Sequence, residues 1–422
     1  MTYILFMTLA LLVILLAGTP VAFSLGIVGI GALVIADGFD SLNQLPIVIY
    51  KSLGDFILVG IPLFILIGTI LEKGKIGEAL YNLAYKWLSN IRGGIAITTI
   101  VACVFIAAIV GASMSAILAI GAIAIPQMLK RGYSKSVTYG TVAVGASLGI
   151  LIPPSVPMLI FSSLTDVSPS KLFISGYLPG FIIASLLIVY AFLRSKHVER
   201  QPLPPLKERL QAVVREIPAL LIPFLIIVGI YSGWVTPTEV AAVCALYSLL
   251  IGIYYYKIIG WKDVPRIFRE GTRTSTIILS IFAGALFFGH ALTYLRLPQI
   301  ISEFTLSLEL PPILILLVMI VVWTVMGFFM DVMSILLVTV PIFYPVGMAL
   351  GYHPVWFGIV LMIVMEMAVL TPPVGMNLFA IQSIQRDEKF NTIVVSTIPA
   401  LVTLIICLIL LLIFPQIVTA VI

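Results

Sequence analysis

Charge is what this sequence has least of. Of 422 residues only 10% are Asp, Glu, Lys or Arg, against 61% hydrophobic. A water-facing surface draws on a composition with roughly a quarter of its residues charged, so the chain is not a soluble globular domain. No long polar stretch exists to house one. Histidine and cysteine are scarce, three of each. Cys103, Cys244 and Cys407 lie far apart in apolar runs, which points to packing rather than to a disulfide or metal. His197, His290 and His353 have no ligand spacing. The phosphate-cradling pattern GxxxxGKS/T is missing, which argues against transport driven by ATP in this chain. No Ser/His/Asp, Cys/His or HExxH arrangement occurs either, so the chain does not read as an enzyme.

What the sequence does have is apolar length. Mean hydropathy is +1.21. A membrane-spanning helix takes about 20 apolar residues, and the apolar runs have room for roughly ten to twelve. The opening residues, MTYILFMTLALLVILLAG, lack a basic leader region and are expected to form a retained helix. The most polar stretch, 194–216, holds six Lys/Arg, three acids and three prolines near mid-chain. It reads as a cytoplasmic linker between halves 1–193 and 217–422. The net charge of +5 fits basic residues on cytoplasmic loops.

The two halves answer each other at a spacing of 219 residues. Met114-Ser115 meets Met333-Ser334, Pro126 meets Pro345, and Gly132-Tyr133 meets Gly351-Tyr352. Pro153-Pro154 meets Pro372-Pro373, and Leu159 meets Leu378. Matched prolines and glycines at one offset mark an internal repeat; spacing leaves open whether the repeats are parallel or inverted. Each proline pair interrupts an apolar segment. Two successive prolines remove two backbone donors and push the preceding residue out of helical geometry. Each limb after a pair is about 18 Å long at 1.5 Å per residue, roughly half a hydrocarbon core. Broken backbone at that depth survives only where it lines a cavity or binds something. Half-helix ends attract ions of both signs, a carbonyl end a cation and an amide end an anion. Oxygen-only sites suit hard cations such as sodium.

Four stretches carry a family resemblance: GASMSAILAIGAIAIPQMLKRGY (111–133), LGILIPPSVPMLIFSSLTDVSPSKLFISGYLPG (148–180), GWVTPTEVAA (233–242) and VLTPPVGMNLF (369–379). In order and over essentially the whole chain, the sequence resembles the large membrane subunit of the TRAP transporters, the tripartite ATP-independent periplasmic carriers. The resemblance implies an all-α polytopic membrane protein of two inverted repeats, each with a re-entrant helical hairpin, working as an elevator with scaffold and transport domains. It implies sodium-coupled import of a small organic acid across the bacterial inner membrane, the acid being a C4-dicarboxylate, a sialic acid or a similar carboxylate. Its implied partners are a small four-helix membrane subunit and a periplasmic substrate-binding protein. It also implies two sodium sites built largely from backbone carbonyls: Gly149, Ile152 and Pro154 with Ser113 nearby, and Gly327, Ala368, Thr371 and Val374. The family usually carries Gly where this chain has Ala368.

Beside the resemblance, Thr371 offers a hydroxyl as well as a carbonyl, whereas its counterpart Ile152 offers only the carbonyl. Ser155 and Asn377 follow the breaks and are candidates for substrate contact, with helix capping as the alternative. Asp331 and Glu366 are acids inside apolar runs; they are candidates for proton or cation coupling, or for internal pairing. Arg273 is a candidate for balancing an acid or for anchoring a helix end. Segments 76–91 and 261–271 look amphipathic and are expected to lie at the membrane surface as arms, with Trp87 and Trp261 in the interface. A carrier of similar fold that works alone, coupled to sodium or protons, remains the alternative.

Overall fold

The computed structural model describes residues 2–111, 113–372 and 375–421, and every element among them is helical. The first half contains α1 (Thr2–Leu16), α2 (Val21–Asp37), α3 (Leu45–Leu53), α4 (Phe56–Lys73), α5 (Ile76–Leu88), α6 (Gly94–Val110), α7 (Ser113–Ala116), α8 (Ala122–Lys130), α9 (Lys135–Ser147), α10 (Val156–Thr165) and α11 (Pro169–Arg194). The second contains α12 (Leu206–Tyr231), α13 (Pro237–Leu250), α14 (Val264–Tyr294), α15 (Leu297–Ser307), α16 (Pro312–Met326), α17 (Val332–Ala349), α18 (Pro354–Ala368), α19 (Met376–Ile384), α20 (Phe390–Ile413) and α21 (Gln416–Thr419). A π turn at Ile117–Gly121 joins α7 to α8, so Ser113–Lys130 is one rod. Among the described residues eight helices are long and apolar enough to cross a membrane. That is fewer than the apolar runs suggest, because several runs are cut into shorter helices.

Polar punctuation sets the helix starts. Asp55 caps α4 by accepting from Ile57 N at 3.0 Å. Ser134 and Ser168 cap α9 and α11. Thr236 and Glu239 form a reciprocal capping box on α13. The matched glycines set two of the ends. Gly132 and Gly351 stand at φ +80° and +84°, and each rod closes with the same pair of bonds. Tyr133 N reaches Met128 O and Gly132 N reaches Leu129 O; Tyr352 N reaches Gly347 O and Gly351 N reaches Met348 O. That left-handed closing turn is favourable with glycine and strained with most other residues.

The repeat extends beyond these motifs into the packing. α10 rests on α17, and its counterpart α19 rests on the α7–α8 rod. α2 packs along α14, as their counterparts α13 and α4 pack together. Side-chain volume is exchanged between related positions as well. A Cβ on Gly358 would lie 2.7 Å from the Phe161 ring, and the counterparts of this small–large pair are Tyr139 and Ala380. α4 runs alongside α13, with Phe56 O accepting from Thr238 Oγ1 at 3.2 Å near one end and Ile70 clustered with Ile259 at the other. It therefore finishes where α14 begins, where Lys73 meets Glu270 at 3.1 Å. The repeat-related α4 and α14 point in opposite directions.

α9 and α18 form the centre; every α9 residue from Val137 onward is buried. α5 is a separate amphipathic helix, as expected for 76–91. The stretch 261–271 is not an independent arm, because from Val264 it runs into the 31-residue α14. The place related to α5 is taken by α15, whose sequence pattern had not stood out. Helix α12 begins at Leu206, so the non-helical part of the linker is confined to 195–205.

Candidate functional site

The first break follows Ser147, where α9 tightens into a 3-10 turn over Leu148–Ile150 and then loses helical geometry until Val156. Here the backbone acceptors are unevenly served. Leu148 O takes Leu151 N and Ile152 N, at 3.1 and 2.7 Å. Ile150 O takes Ser155 Oγ at 2.5 Å, and Pro153 O takes Tyr177 Oη at 3.4 Å. The carbonyls of Gly149, Ile152 and Pro154 have no donor among the described residues. Gly111 closes over this tip at φ +63°, with its absent Cβ only 2.7 Å from Pro154 O. Any side chain there would clash with the carbonyl as well as strain the backbone.

The second break follows Ala368. Met367 O takes Thr371 Oγ1 at 2.6 Å, Ala368 O takes Thr371 N at 3.3 Å, and Val369 O takes Asn377 N at 3.2 Å. The carbonyls of Gly327 and Thr371 have no donor among the described residues. Gly327 stands directly against Ala368, with its missing Cβ 2.4 Å from the alanine methyl. Ala368 is the last residue of α18 and is not among the positive-φ positions. Alanine in place of the family's usual glycine therefore brings no backbone strain, and the close approach is met by Gly327 instead. Pro373 and Val374 lie outside the described residues.

Between the two breaks is a cavity of about 150 Å³. Its lining includes Ser113, Met114, Ile150 and Pro157 from the first half and Val332, Met333, Val369 and Met376 from the second. These are four pairs of counterparts at the 219-residue offset. The cavity sits where related positions of both halves converge. Its polar groups are few. Ser113 Oγ donates to Asn377 Oδ1 at 3.1 Å. The Asn377 amide nitrogen is buried without a partner among the described residues. Such a donor is costly to bury unless something accepts from it. Asp331 also lines the space, but its carboxylate already accepts from Met333 N, Ser334 N and Ser334 Oγ as the cap of α17.

The remaining candidates fall elsewhere. Ser155 is fully buried and caps α10, accepting from Met158 N at 3.4 Å. Arg273 is exposed on α14, away from the cavity. Glu366 is fully buried on α18 and neither carboxylate oxygen has a partner among the described residues. Ser147, its counterpart at the 219 offset, and Cys407 face it; the Ser147 hydroxyl donates to Val144 O at 2.9 Å. Sequence reading missed Gly111 and the pairs Ile150/Val369 and Pro157/Met376. Carrying the offset through every residue near the prolines would have found the pairs.

Residues 8–417 match the family described as "Tripartite ATP-independent periplasmic transporter, DctM component". The chain belongs to this family. A C4-dicarboxylate TRAP transporter large permease protein of Pseudomonas aeruginosa is 36% identical over 82% of this chain and 81% of its own length. A sialic acid TRAP transporter large permease protein of Vibrio cholerae is 30% identical over 96% of this chain and 94% of its own. Among solved structures, the YdaH transporter of Alcanivorax borkumensis superposes with a TM-score of 0.65 at 15% identity, over 90% and 89% of the two chains. That likeness concerns the fold. The chain is thus a TRAP large permease, a multi-pass membrane transport subunit. Large permeases of this family work with a small subunit and a periplasmic binding protein.

Proposed function

We propose that this TRAP permease imports a small organic acid into the cell across the bacterial inner membrane, coupled to sodium and by an elevator motion. The observation that carries the reading is the set of unserved carbonyls. Gly149, Ile152 and Pro154 at one break, and Gly327 and Thr371 at the other, have no donor among the described residues, in surroundings where backbone oxygens must be satisfied. Ser113 stands beside the first set, and Ala368 and Val374 complete the second. A desolvated cluster of carbonyls with no acid among its members suits a hard monovalent cation. The cavity between the breaks is the place for the substrate, with Ser113 and the Asn377 amide as its contacts. Two sodium ions beside it would offset the charge of a carboxylate, since no Lys, Arg or His lines the cavity.

The opposed directions of α4 and α14 and the reciprocal packing of α10 and α19 support inverted repeats. Inverted repeats let two states exchange the roles of the halves. Lys75, Lys86 and Arg215 line one groove with linker residues Pro204 and Glu208, and Arg92 reaches Leu193 O at 3.2 Å, so basic residues collect at the end of the bundle that carries the linker, which supports that end as cytoplasmic. The acids transported by the relatives include C4-dicarboxylates and sialic acids.

Reconstitution with the binding protein and small subunit tests the reading. An inward sodium gradient should drive uphill uptake of the delivered acid, and omission of either partner should reduce it. Full-rate uptake by the chain alone would favour a stand-alone carrier, and uptake indifferent to sodium would overturn the coupling. Proton coupling is the second reading, favoured by the buried Glu366, whose carboxylate has no partner among the described residues. Under it a pH gradient drives uptake and Glu366→Gln abolishes that drive.

A further inference from the structure

Along the outward face of the first turns of α14 and the residues just before it, Lys262, Arg266, Arg269 and Arg273 recur at helical spacing, and all four are exposed. The opposite face, Ile267, Gly271 and Ser275, is buried, with Gly271 against Leu66 of α4. Nearby acids leave most of this row uncompensated. Glu270 turns to Lys73 at 3.1 Å, and Asp263 engages Arg266 at 2.7 Å. Lys262, Arg269 and Arg273 have no carboxylate partner among the described residues.

The length of α14 sets the depth of this row. Its 31 residues make about 46 Å at 1.5 Å per residue, against about 30 Å of hydrocarbon. The far end is polar, where Tyr294 Oη donates to Asp37 at 2.5 Å and His290 meets Gln44 at 3.1 Å. Counting about 20 residues back from Tyr294 puts the hydrocarbon edge near Arg273. Arg269 then lies within the adjoining headgroup layer, and Arg266 and Lys262 lie at its outer side. Trp261 and Tyr254, both exposed, pack edge to face at 6.3 Å beside the row. Exposed Phe268 and Ile277 add apolar surface between the charges. Basic groups at headgroup depth, flanked by interfacial aromatics, are complementary to anionic lipid. Guanidinium forks match phosphate oxygens two at a time.

We propose that this face of α14 is a binding site for anionic phospholipid headgroups of the leaflet at the basic end of the bundle. The test uses the permease with its small subunit in nanodiscs of mixed phosphatidylglycerol and phosphatidylcholine, with lipid retained after detergent extraction measured by native mass spectrometry. Phosphatidylglycerol should be enriched in the wild type. The enrichment should fall toward the bulk ratio in Arg266→Gln/Arg269→Gln/Arg273→Gln, at roughly five-fold per arginine. The linker variant Lys196→Gln/Arg200→Gln should keep it. If the triple variant does not fold, Arg269→Gln alone carries the test, with enrichment about five-fold lower. Equal enrichment in wild type and variant overturns the proposal, as does displacement of the lipid by inorganic phosphate. Loss of the small subunit by the triple variant, with lipid retention unchanged, would assign the face to that protein instead.

Discussion

Gly327 and Ala368 show what one methyl group decides. They touch across two helices, and the alanine methyl stands where a side chain on Gly327 would be. Gly327→Ala should destabilise the protein by about 1–3 kcal/mol through overpacking and should weaken sodium activation. Adding Ala368→Gly should restore both, because it returns the space from the other side. Thermal unfolding in detergent and sodium-dependent uptake check the pair, and failure of the second change to rescue the first would show that Gly327 matters for another reason. Thr371 is a different case. Its hydroxyl donates to Met367 O at 2.6 Å, which leaves the oxygen's lone pairs free of that bond. Thr371→Ala should leave folding near normal and raise the sodium concentration for half-maximal uptake by about five-fold, as expected for ~1 kcal/mol of lost binding. Thr371 was legible in the sequence because a polar residue beside a proline pair is conspicuous. Gly327 entered through the family resemblance; its contact with Ala368 depends on two helices meeting, which no local pattern reports.

Breaks are only as firm as the elements that hold their limbs. At the start of α9, Lys135 Nζ lies 2.6 Å from Glu388 Oε2 in the turn between α19 and α20, and Tyr139 Oη donates to the same oxygen at 3.4 Å. Gln382 Nε2 donates to Glu388 O at 2.7 Å, tying that turn back onto α19. The bond from Lys135 holds the Glu388 carboxyl below its usual value. A depressed folded value means that the acid's contribution is present above the unfolded value of about 4.3 and is lost as pH falls through the lower folded one. The unfolding temperature of the wild type should therefore drop on acidification below about pH 4.3, and Glu388→Gln should flatten that part of the curve. A mutant profile parallel to the wild type would remove Glu388 from the account. This clip joins residues 253 positions apart, which explains why charge pattern alone did not reveal it. Amphipathicity had a similar limit. It found α5, whose polar face is local, but it read 261–271 as a separate arm because periodicity does not register that α14 continues through it.

Across the whole molecule, the repeat was legible because its markers are prolines and glycines that sequence comparison can align without gaps. The relative course of α4 and α14 was not, since antiparallel helices look no different in sequence from parallel ones. That direction matters for motion. Ser163 Oγ on α10 donates to Asp55 Oδ2, the cap of α4, at 3.0 Å, a bond between the limb that follows the first break and the layer that α4 forms with α13 and α14. If transport carries the hairpins past that layer, this bond must break in each cycle. Asp55→Cys/Ser163→Cys, joined through two mixed disulfides by a short bis-methanethiosulfonate crosslinker, should arrest uptake until reductant cleaves those disulfides, while each single variant keeps transporting after the same treatment. The three native cysteines are buried and should not compete for the reagent. Continued uptake by the quantitatively crosslinked pair would mean that α10 and α4 travel together, and an elevator with α10 on its moving side would no longer describe this permease.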